Sequence, residues 1–277
     1  MALHPVRYLA LISVLCLLAP PLAYSQSVQG SRILVFSKTS GFRHPSISTG
    51  QTVIAELADS NGFTADFTDS SGAFNASNLA QYDAVIWLNT SGNVLYGGQQ
   101  TAFENYIQGG GGYVGIHAAT DTEYDWPFYG GLIGGDAYFQ NHPAIQEATV
   151  DVVDPSDPST SHLPLSFDFT DEWYNFQNDP TPFVDVLLTL DETSYTGGTM
   201  GPDHPISWQH EYNGGRAWYT GMGHRRQTFE DPDFQQHLLG GIAFAVPEPS
   251  FAWLLMTGCV ALCLFRSLFG TRDQNLA

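Results

Sequence analysis

Residues 109–121 have the sequence Gly-Gly-Gly-Gly-Tyr-Val-Gly-Ile-His-Ala-Ala-Thr-Asp. The glycines lead into a short apolar strand, and His117 follows that strand directly. This pattern resembles a nucleophile elbow, a tight turn after a parallel strand that exposes one side chain and points backbone N–H groups at a ligand. Acyl-transfer enzymes carry Ser or Cys there, whereas an imidazole acts as a general base, a hydrogen-bond donor or a metal ligand. His117 is therefore the first candidate site residue.

Strand-like and helix-like segments alternate on both sides of this stretch. The runs Arg32–Ser37 and Ala84–Leu88 are apolar and β-rich, while residues 46–61 and 98–108 have helical spacing. Strands that alternate with helices of this length predict βαβ crossovers and a parallel sheet covered on both faces. Further strands are expected over 148–153 and 184–190, separated by Pro- and Asp-rich loops, and are followed by a hairpin over 206–220 and a closing helix over 233–245. We predict a single α/β domain with a doubly wound, mostly parallel sheet.

Composition excludes several functions. The 277 residues include 9 Lys+Arg and 28 Asp+Glu, a formal net charge of −19. A nucleic-acid reader needs a basic face to neutralise phosphates, so nucleic acid is not an expected partner. The three cysteines are Cys16, Cys259 and Cys263, all outside the predicted domain. A disulfide framework, a thiolate nucleophile and a Cys-ligated zinc site are therefore excluded for that domain.

The two ends of the chain are predicted to be targeting segments that flank a domain of residues 26–245. Residues 1–25 have a basic start, an apolar stretch and a small-residue cleavage site, which is typical of a secretory signal peptide. A buried N-terminal helix is the alternative, and Pro20 and Pro21 disfavour it. Residues 246–277 contain an apolar run over 251–265 before Arg266. Snorkelling of Arg266 extends the predicted transmembrane stretch to 251–269.

Polar side chains follow several of the predicted strands. In open parallel sheets, ligands bind beyond the carboxyl ends of the strands. Phe42-Arg43-His44 comes after the first strand, Asp121 closely follows His117, and His224 comes after the strand that ends near residue 220. These residues are therefore expected at one edge of the sheet.

Four motifs together resemble the ThuA-like family, named for trehalose utilisation. They are Gly41-Phe-Arg-His44, Gly115-Ile-His-Ala-Ala-Thr-Asp121, Asp171-Glu-Trp-Tyr174, and the block from His204 to Ala245. The resemblance implies a flavodoxin-like fold of the class I glutamine amidotransferase-like superfamily, with His117 where amidotransferases carry cysteine. It also implies a link to sugar use. Glutamine amidotransferase activity is not expected, because the predicted domain contains no cysteine.

The tail carries a second resemblance. Val246-Pro-Glu-Pro-Ser250, the apolar run and the following arginine resemble a PEP-CTERM sorting signal. That resemblance implies export, retention in the inner membrane, cleavage by an exosortase-type enzyme and release to the cell envelope or extracellular matrix. A plain C-terminal anchor is the alternative.

The candidate site residues fall into two groups. The predicted catalytic residues are His117, Glu172, His44 and His224, and the predicted substrate-binding residues are Arg43, Asp121, His142, Tyr174, Trp208 and Arg225. Glu172 comes from the acidic motif, where the structural alternative is a carboxylate at a helix N-terminus. Turn stabilisation is the alternative for His142, and core packing for Tyr174 and Trp208. Arg225 or Arg226 is expected to pair with Glu172 or Asp121.

No cofactor is predicted. Histidine and carboxylate side chains make a metal site chemically feasible, but no pair has the compact H-x-x-H or H-E-x-x-H spacing typical of zinc sites. Two functions stay open. One is an exported protein that acts on a sugar or sugar derivative through a His/Glu acid–base pocket, by hydrolysis, elimination or isomerisation. The other is a non-catalytic polysaccharide-binding module of the cell envelope.

Overall fold

The structure is a computed structural model that describes residues 28–247. The predicted signal peptide (1–25) lies outside the described residues, as does the predicted tail (246–277) except for Val246 and Pro247. Within the described part, no helix is both long enough and apolar enough to cross a membrane.

Six helices and eleven strands make up the described chain. The helices are α1 (Ile47–Asn61), α2 (Ala76–Leu79), α3 (Gly98–Gln108), α4 (Pro127–Leu132), α5 (Arg226–Glu230) and α6 (Pro232–Ala245). The strands are β1 (Arg32–Phe36), β2 (Thr64–Thr68), β3 (Ala84–Leu88), β4 (Gly112–Ile116), β5 (Phe139–Asn141), β6 (Gln146–Val152), β7 (Ser166–Asp171), β8 (Asn175–Phe176), β9 (Asp185–Leu190), β10 (His204–Tyr212) and β11 (Gly215–Thr220).

Nine of the strands form one mixed sheet in the order β2-β1-β3-β4-β11-β10-β9-β6-β7. The strands from β2 to β11 in this order pair in parallel, and the strands from β11 to β7 pair antiparallel. The remaining two, β5 and β8, form a small antiparallel sheet of their own. The predicted α/β fold class is confirmed, and the parallel half is the part that the crossover helices build.

Two hydrophobic clusters cover the two faces of the sheet. In β1, Ile33 and Val35 belong to one cluster, which also holds apolar residues of α1 and α6. Leu34 and Phe36 belong to the other, together with Phe103 of α3. Successive side chains of a strand point to opposite faces, so a strand covered on both sides is a continuous apolar run. This explains why the parallel strands could be recognised from sequence.

Several ends of helices and strands were predicted correctly from the local sequence. Gly62 ends α1 with φ +74°, in the left-handed region that glycine tolerates best, and its N–H donates to the Ala58 carbonyl. The predicted hairpin is β10 paired with β11. Strand β7 was missed because its sequence, Ser-Phe-Asp-Phe-Thr-Asp, lies in a Pro- and Asp-rich region. Its Phe167 and Phe169 do alternate with polar residues, as expected of a half-buried strand.

Candidate functional site

His117 lies at the turn that ends β4, as the elbow pattern predicts. Its backbone has φ +47°, a left-handed conformation that is uncommon for a non-glycine residue. Its side chain is fully buried, and Nδ1 lies 2.7 Å from the Gly221 carbonyl oxygen. A carbonyl only accepts, so Nδ1 carries the proton in this bond. In a neutral ring, Nε2 is therefore the nitrogen with a free lone pair.

Four side chains from four separate segments meet around this nitrogen. They are His44, His117, Glu172 and His224, and one N or O atom of each lies within 4.8 Å of those of the others. The His44 ring centroid lies 5.0 Å from that of His117 and 5.0 Å from that of His224. We call this group the His/Glu cluster. The four predicted catalytic residues are thus adjacent, although their chemical role stays a prediction.

Glu172 is the carboxylate of the cluster. Its Oε2 lies 2.9 Å from His224 Nδ1 and 3.4 Å from His117 Nε2. Both nitrogens are nevertheless buried without a well-directed hydrogen bond, and so is Nδ1 of His44. The ring nitrogens approach the carboxylate closely, but their geometry does not form ordinary hydrogen bonds with it.

Burial and mutual charge shift the pKa values in the cluster. Burial lowers the pKa of His44 to about 3, and the neighbouring His117 and His224 add to the effect. Burial on its own would raise the pKa of Glu172, but the contacts and charges of His117 and His224 outweigh it and hold that pKa well below its usual range. Glu172 is therefore a carboxylate at neutral pH, and His44 is a neutral imidazole.

Buried polar residues hold the segments that carry the cluster. Asp171 Oδ2 accepts from the Gly223 N–H at 2.8 Å, next to His224, and Oδ1 accepts from the Glu172 N–H at 2.9 Å. Asn89 Nδ2 donates to Ser46 Oγ and to the Gly223 carbonyl, both at 3.0 Å. Sequence analysis did not nominate Asp171 or Asn89 for the site. Asn89 directly follows a buried strand, the same signal that identified His117.

Most of the predicted binding residues border the cluster. His142 Nδ1 lies 3.2 Å from Glu172 Oε1, with 39% of its side chain exposed. The Tyr174 ring centroid lies 4.2 Å from that of His117, and burial, followed by the charge of Glu172, raises the pKa of Tyr174 far above its usual value. Burial also raises the pKa of Asp121, although its bond from Tyr124 and the charge of His117 oppose the shift. Arg43 is exposed and donates to the Ser37 carbonyl at 3.1 Å.

Two expectations need correction. Trp208 lies in the core instead of among the histidines: it is 1% exposed, packs on Tyr219, and donates its indole N–H to the Ile133 carbonyl. The expected arginine–carboxylate pair is also wrong for the described residues. Arg225 donates to the Thr170 carbonyl of β7 and Arg226 to the Pro45 carbonyl, so both guanidinium groups bond to the backbone instead.

One exposed aromatic ring stands beside the cluster. Phe42 is 61% exposed, and its ring centroid lies 4.8 Å from that of His44. A surface cavity of about 320 Å³ also borders His44, lined by Arg43, Pro45, Ile47, Ser48 and Gln51. From the sequence, Phe42 was identified only as a residue that follows the first strand, and its exposure could not be known before the fold.

A doubly wound α/β sheet with a histidine at the elbow and a buried carboxylate facing it defines a flavodoxin-like protein whose described part lacks a thiol nucleophile. The chain belongs to the ThuA family, described as trehalose utilisation, whose family model matches residues 32–245.

Solved structures agree with this assignment. A ThuA-like protein from Bacteroides uniformis ATCC 8492 is 27% identical, with a TM-score of 0.68, over 84% of this chain and 97% of that one. A ThuA-like protein from Parabacteroides merdae ATCC 43184 is 21% identical, with a TM-score of 0.65, over 80% and 92% of the respective chains. The second likeness shows the fold alone. No curated protein matches the sequence.

Proposed function

We propose that this protein is an exported enzyme that acts on a sugar or sugar derivative by proton transfer in the His/Glu cluster. The observation that carries the proposal is the arrangement of Glu172 Oε2, which lies 3.4 Å from His117 Nε2 and 2.9 Å from His224 Nδ1. Imidazole and carboxylate side chains are the groups that enzymes most often use for general acid–base catalysis.

The tautomer of His117 gives it a definite role in this proposal. Because Nδ1 donates to the Gly221 carbonyl, Nε2 is available to accept a proton from a bound sugar. Glu172 stabilises the imidazolium that forms, since its carboxylate faces the same nitrogen. The protonated His117 can return the proton to the product, while His44 and His224 complete the wall of the site. Hydrolysis, elimination and isomerisation of a sugar each require such a transfer.

The residues around the cluster favour a carbohydrate ligand. Exposed Phe42 offers a flat apolar face of the kind that stacks on a sugar ring. Arg43 and His142, both exposed to solvent in part, supply hydrogen-bonding groups for hydroxyls. The family's description as trehalose utilisation supports the same ligand class. The net charge of −19 fits a neutral sugar better than an anionic ligand.

Export is part of the proposal and rests on the two ends of the sequence. The signal-peptide pattern of residues 1–25 and the tail of residues 246–277 support passage across the inner membrane, temporary anchoring there and processing by an exosortase-type enzyme. The site would then meet carbohydrate outside the cytoplasm, at the envelope or in the extracellular matrix.

The test is a turnover screen of the purified chain against disaccharides, oxidised sugars and exopolysaccharide. We expect product from at least one of them, and a loss of at least about 100-fold in His117→Ala, the size typical of a missing general base. His162→Ala is the matched control because His162 bonds to the Asp233 carbonyl and is not part of the cluster. Turnover that is unchanged in His117→Ala would overturn the proposed mechanism. Sugar binding without turnover would favour the polysaccharide-binding module.

A further inference from the structure

We propose that His44, His117, Glu172 and His224 together bind one divalent transition-metal ion, of the kind that zinc represents. The inference goes beyond the proposed function and restricts it: a His117 Nε2 lone pair that holds the ion cannot also accept a proton, so the acid–base role of His117 would apply to the ion-free protein alone. It also departs from the sequence expectation of no cofactor.

The spacing of the ligand atoms is the first reason. Zinc–nitrogen and zinc–oxygen bonds are about 2.0–2.2 Å long, so the four ligand atoms of a tetrahedral zinc lie about 3.3–3.6 Å from one another. One N or O atom from each of the four side chains already lies within 4.8 Å of the others. Closing the widest gap by up to about 1.3 Å would bring all four within reach of a single ion. Rotation of side chains supplies a movement of this size without a change of fold.

The second reason is that three histidine ring nitrogens of the cluster have no hydrogen-bond partner. Buried polar atoms in proteins almost always have a hydrogen-bond partner. Nδ1 of His44, Nε2 of His117 and Nδ1 of His224 are buried and have none. Two of them, His117 Nε2 and His224 Nδ1, lie 3.4 and 2.9 Å from Glu172 Oε2, and a buried nitrogen left without a hydrogen bond is costly. A cation between them satisfies all three lone pairs and balances the charge of Glu172.

The surroundings of two ligands form the third reason. Metal-binding histidines usually donate their second ring N–H to a backbone carbonyl or a carboxylate, which fixes the tautomer and the ring orientation. His117 does this through Nδ1, at 2.7 Å from the Gly221 carbonyl. Ligand carboxylates are likewise held by further contacts, and Oε1 of Glu172 lies 3.2 Å from His142 Nδ1. The same nitrogen lies 2.8 Å from the Pro143 carbonyl oxygen, so His142 faces two acceptors and its contact with Glu172 is a shared one.

The donor atoms indicate the class of metal. Three imidazoles and one carboxylate suit zinc and neighbouring first-row metals, whereas Mg²⁺ and Ca²⁺ prefer all-oxygen sites. The four ligands are spread over residues 44–224, so a search for compact spacing along the chain could not have found them. They meet because the loops after separate strands lie at one edge of the sheet.

Metal content of the full-length chain tests the proposal directly. The purified protein is stripped with chelator, exposed to Zn²⁺, freed of excess by gel filtration and analysed by mass spectrometry, with titration calorimetry for the affinity. We expect one zinc per chain. Loss of a ligand should cost at least about 100-fold in affinity in His117→Ala and in Glu172→Gln, since even the loss of a supporting residue costs 10–100-fold. Substitution by Co²⁺ should give visible d–d bands that both variants lose.

His162→Ala is the matched control, because it removes a histidine that is not part of the cluster, and it should keep one zinc with unchanged affinity. Circular dichroism of every variant checks that a loss of zinc binding is not caused by unfolding. Absence of retained zinc in the parent chain would overturn the proposal, and so would binding that the cluster variants leave unchanged. Sugar turnover by protein that binds no ion would leave the proposed function standing while overturning the metal site. One bound zinc per chain without turnover of any sugar would support the metal site and overturn the proposed function.

Discussion

Asp171 and Gly223 join two segments of the candidate site through a buried hydrogen bond of 2.8 Å, from the Gly223 N–H to Asp171 Oδ2. Asp171 precedes Glu172 in the chain, and Gly223 precedes His224. The same carboxylate accepts from Thr228 Oγ1 at 2.8 Å and from the Glu172 N–H at 2.9 Å. Asp171 is therefore a positioning residue that sets where two members of the His/Glu cluster lie.

Replacing Asp171 should lower stability. Asp171→Ala leaves three buried donors without their acceptor, and each such loss costs about 1–3 kcal/mol. We expect the free energy of unfolding in urea to fall by at least about 3 kcal/mol. Asp168→Ala, on the exposed side of the same strand, is the matched control; it removes one solvent-exposed bond, from Thr149 Oγ1, and should change the free energy of unfolding by less than about 0.5 kcal/mol. Equal stability of the two variants would contradict this role for Asp171.

Two substitutions of Asn89 distinguish the effect of backbone strain on stability from the effect of lost hydrogen bonds. Its φ is +48°, and its side chain donates to Ser46 Oγ and the Gly223 carbonyl. Asn89→Gly loses both bonds but tolerates the left-handed backbone, whereas Asn89→Ala loses the bonds and adds strain. We expect the alanine variant to be less stable than the glycine variant by about 1 kcal/mol in urea unfolding. An alanine variant as stable as the glycine one would show that strain at Asn89 is unimportant.

His237 should make stability depend on pH. Burial lowers the pKa of His237 to about 4; the bond to the Ser159 carbonyl opposes this shift and the charge of His162 adds to it. Below about pH 6.5 the unfolded chain takes up a proton that the folded chain does not, so stability is lost as pH falls from 6.5 to 4. We expect this residue alone to contribute about 3 kcal/mol to that loss.

Urea unfolding of the parent chain and His237→Gln across this pH range measures the contribution. The variant should be less stable at pH 7, because it changes the bonds to Ser159 and Ser207. Its stability should nevertheless fall less steeply between pH 6.5 and 4. Parallel curves for the two proteins would rule out His237 as the source of the pH dependence.

Phe42 is expected to hold substrate without taking part in the chemistry. Loss of an aromatic contact costs about 0.5–1.5 kcal/mol, so Phe42→Ala should raise KM about 3- to 10-fold and leave kcat nearly unchanged. Phe183→Ala is a close control, since Phe183 is also 61% exposed but packs against Gly135 instead of the cluster. A fall in kcat with no change in KM would place Phe42 in a different role.

The parallel half of the fold was predictable because its strands are buried on both faces. Runs such as Ala84–Leu88 are continuously apolar, and the helices between them have a clear amphipathic spacing. The antiparallel half gave weaker signals. Strand β7 is only partly buried, and the paired strands β5 and β8 are three and two residues long. Short or half-exposed strands depend on their neighbours more than on their own sequence.

The histidines of the site were predictable for a topological reason. His44, His117 and His224 each follow a strand of the parallel half, and the carboxyl ends of those strands share one edge. Glu172 was predicted only through the family resemblance. Strand β7, which precedes it, is the outermost strand on the antiparallel side of the sheet, and the chain then turns back toward the site. The location of Trp208 in the core could not be predicted from the sequence. Residues 204–208 are buried on both faces, so their pattern did not indicate which side chains reach the site.

A double-mutant cycle on turnover tests most directly whether the His/Glu cluster acts as one catalytic unit. The rates of the parent chain, His117→Ala, Glu172→Gln and the double variant are compared on whichever sugar the screen identifies. Residues that act as a unit give grossly non-additive losses. We predict that the double variant is no slower than about the slower single variant. Losses that multiply, or a Glu172→Gln variant with full activity, would contradict the account.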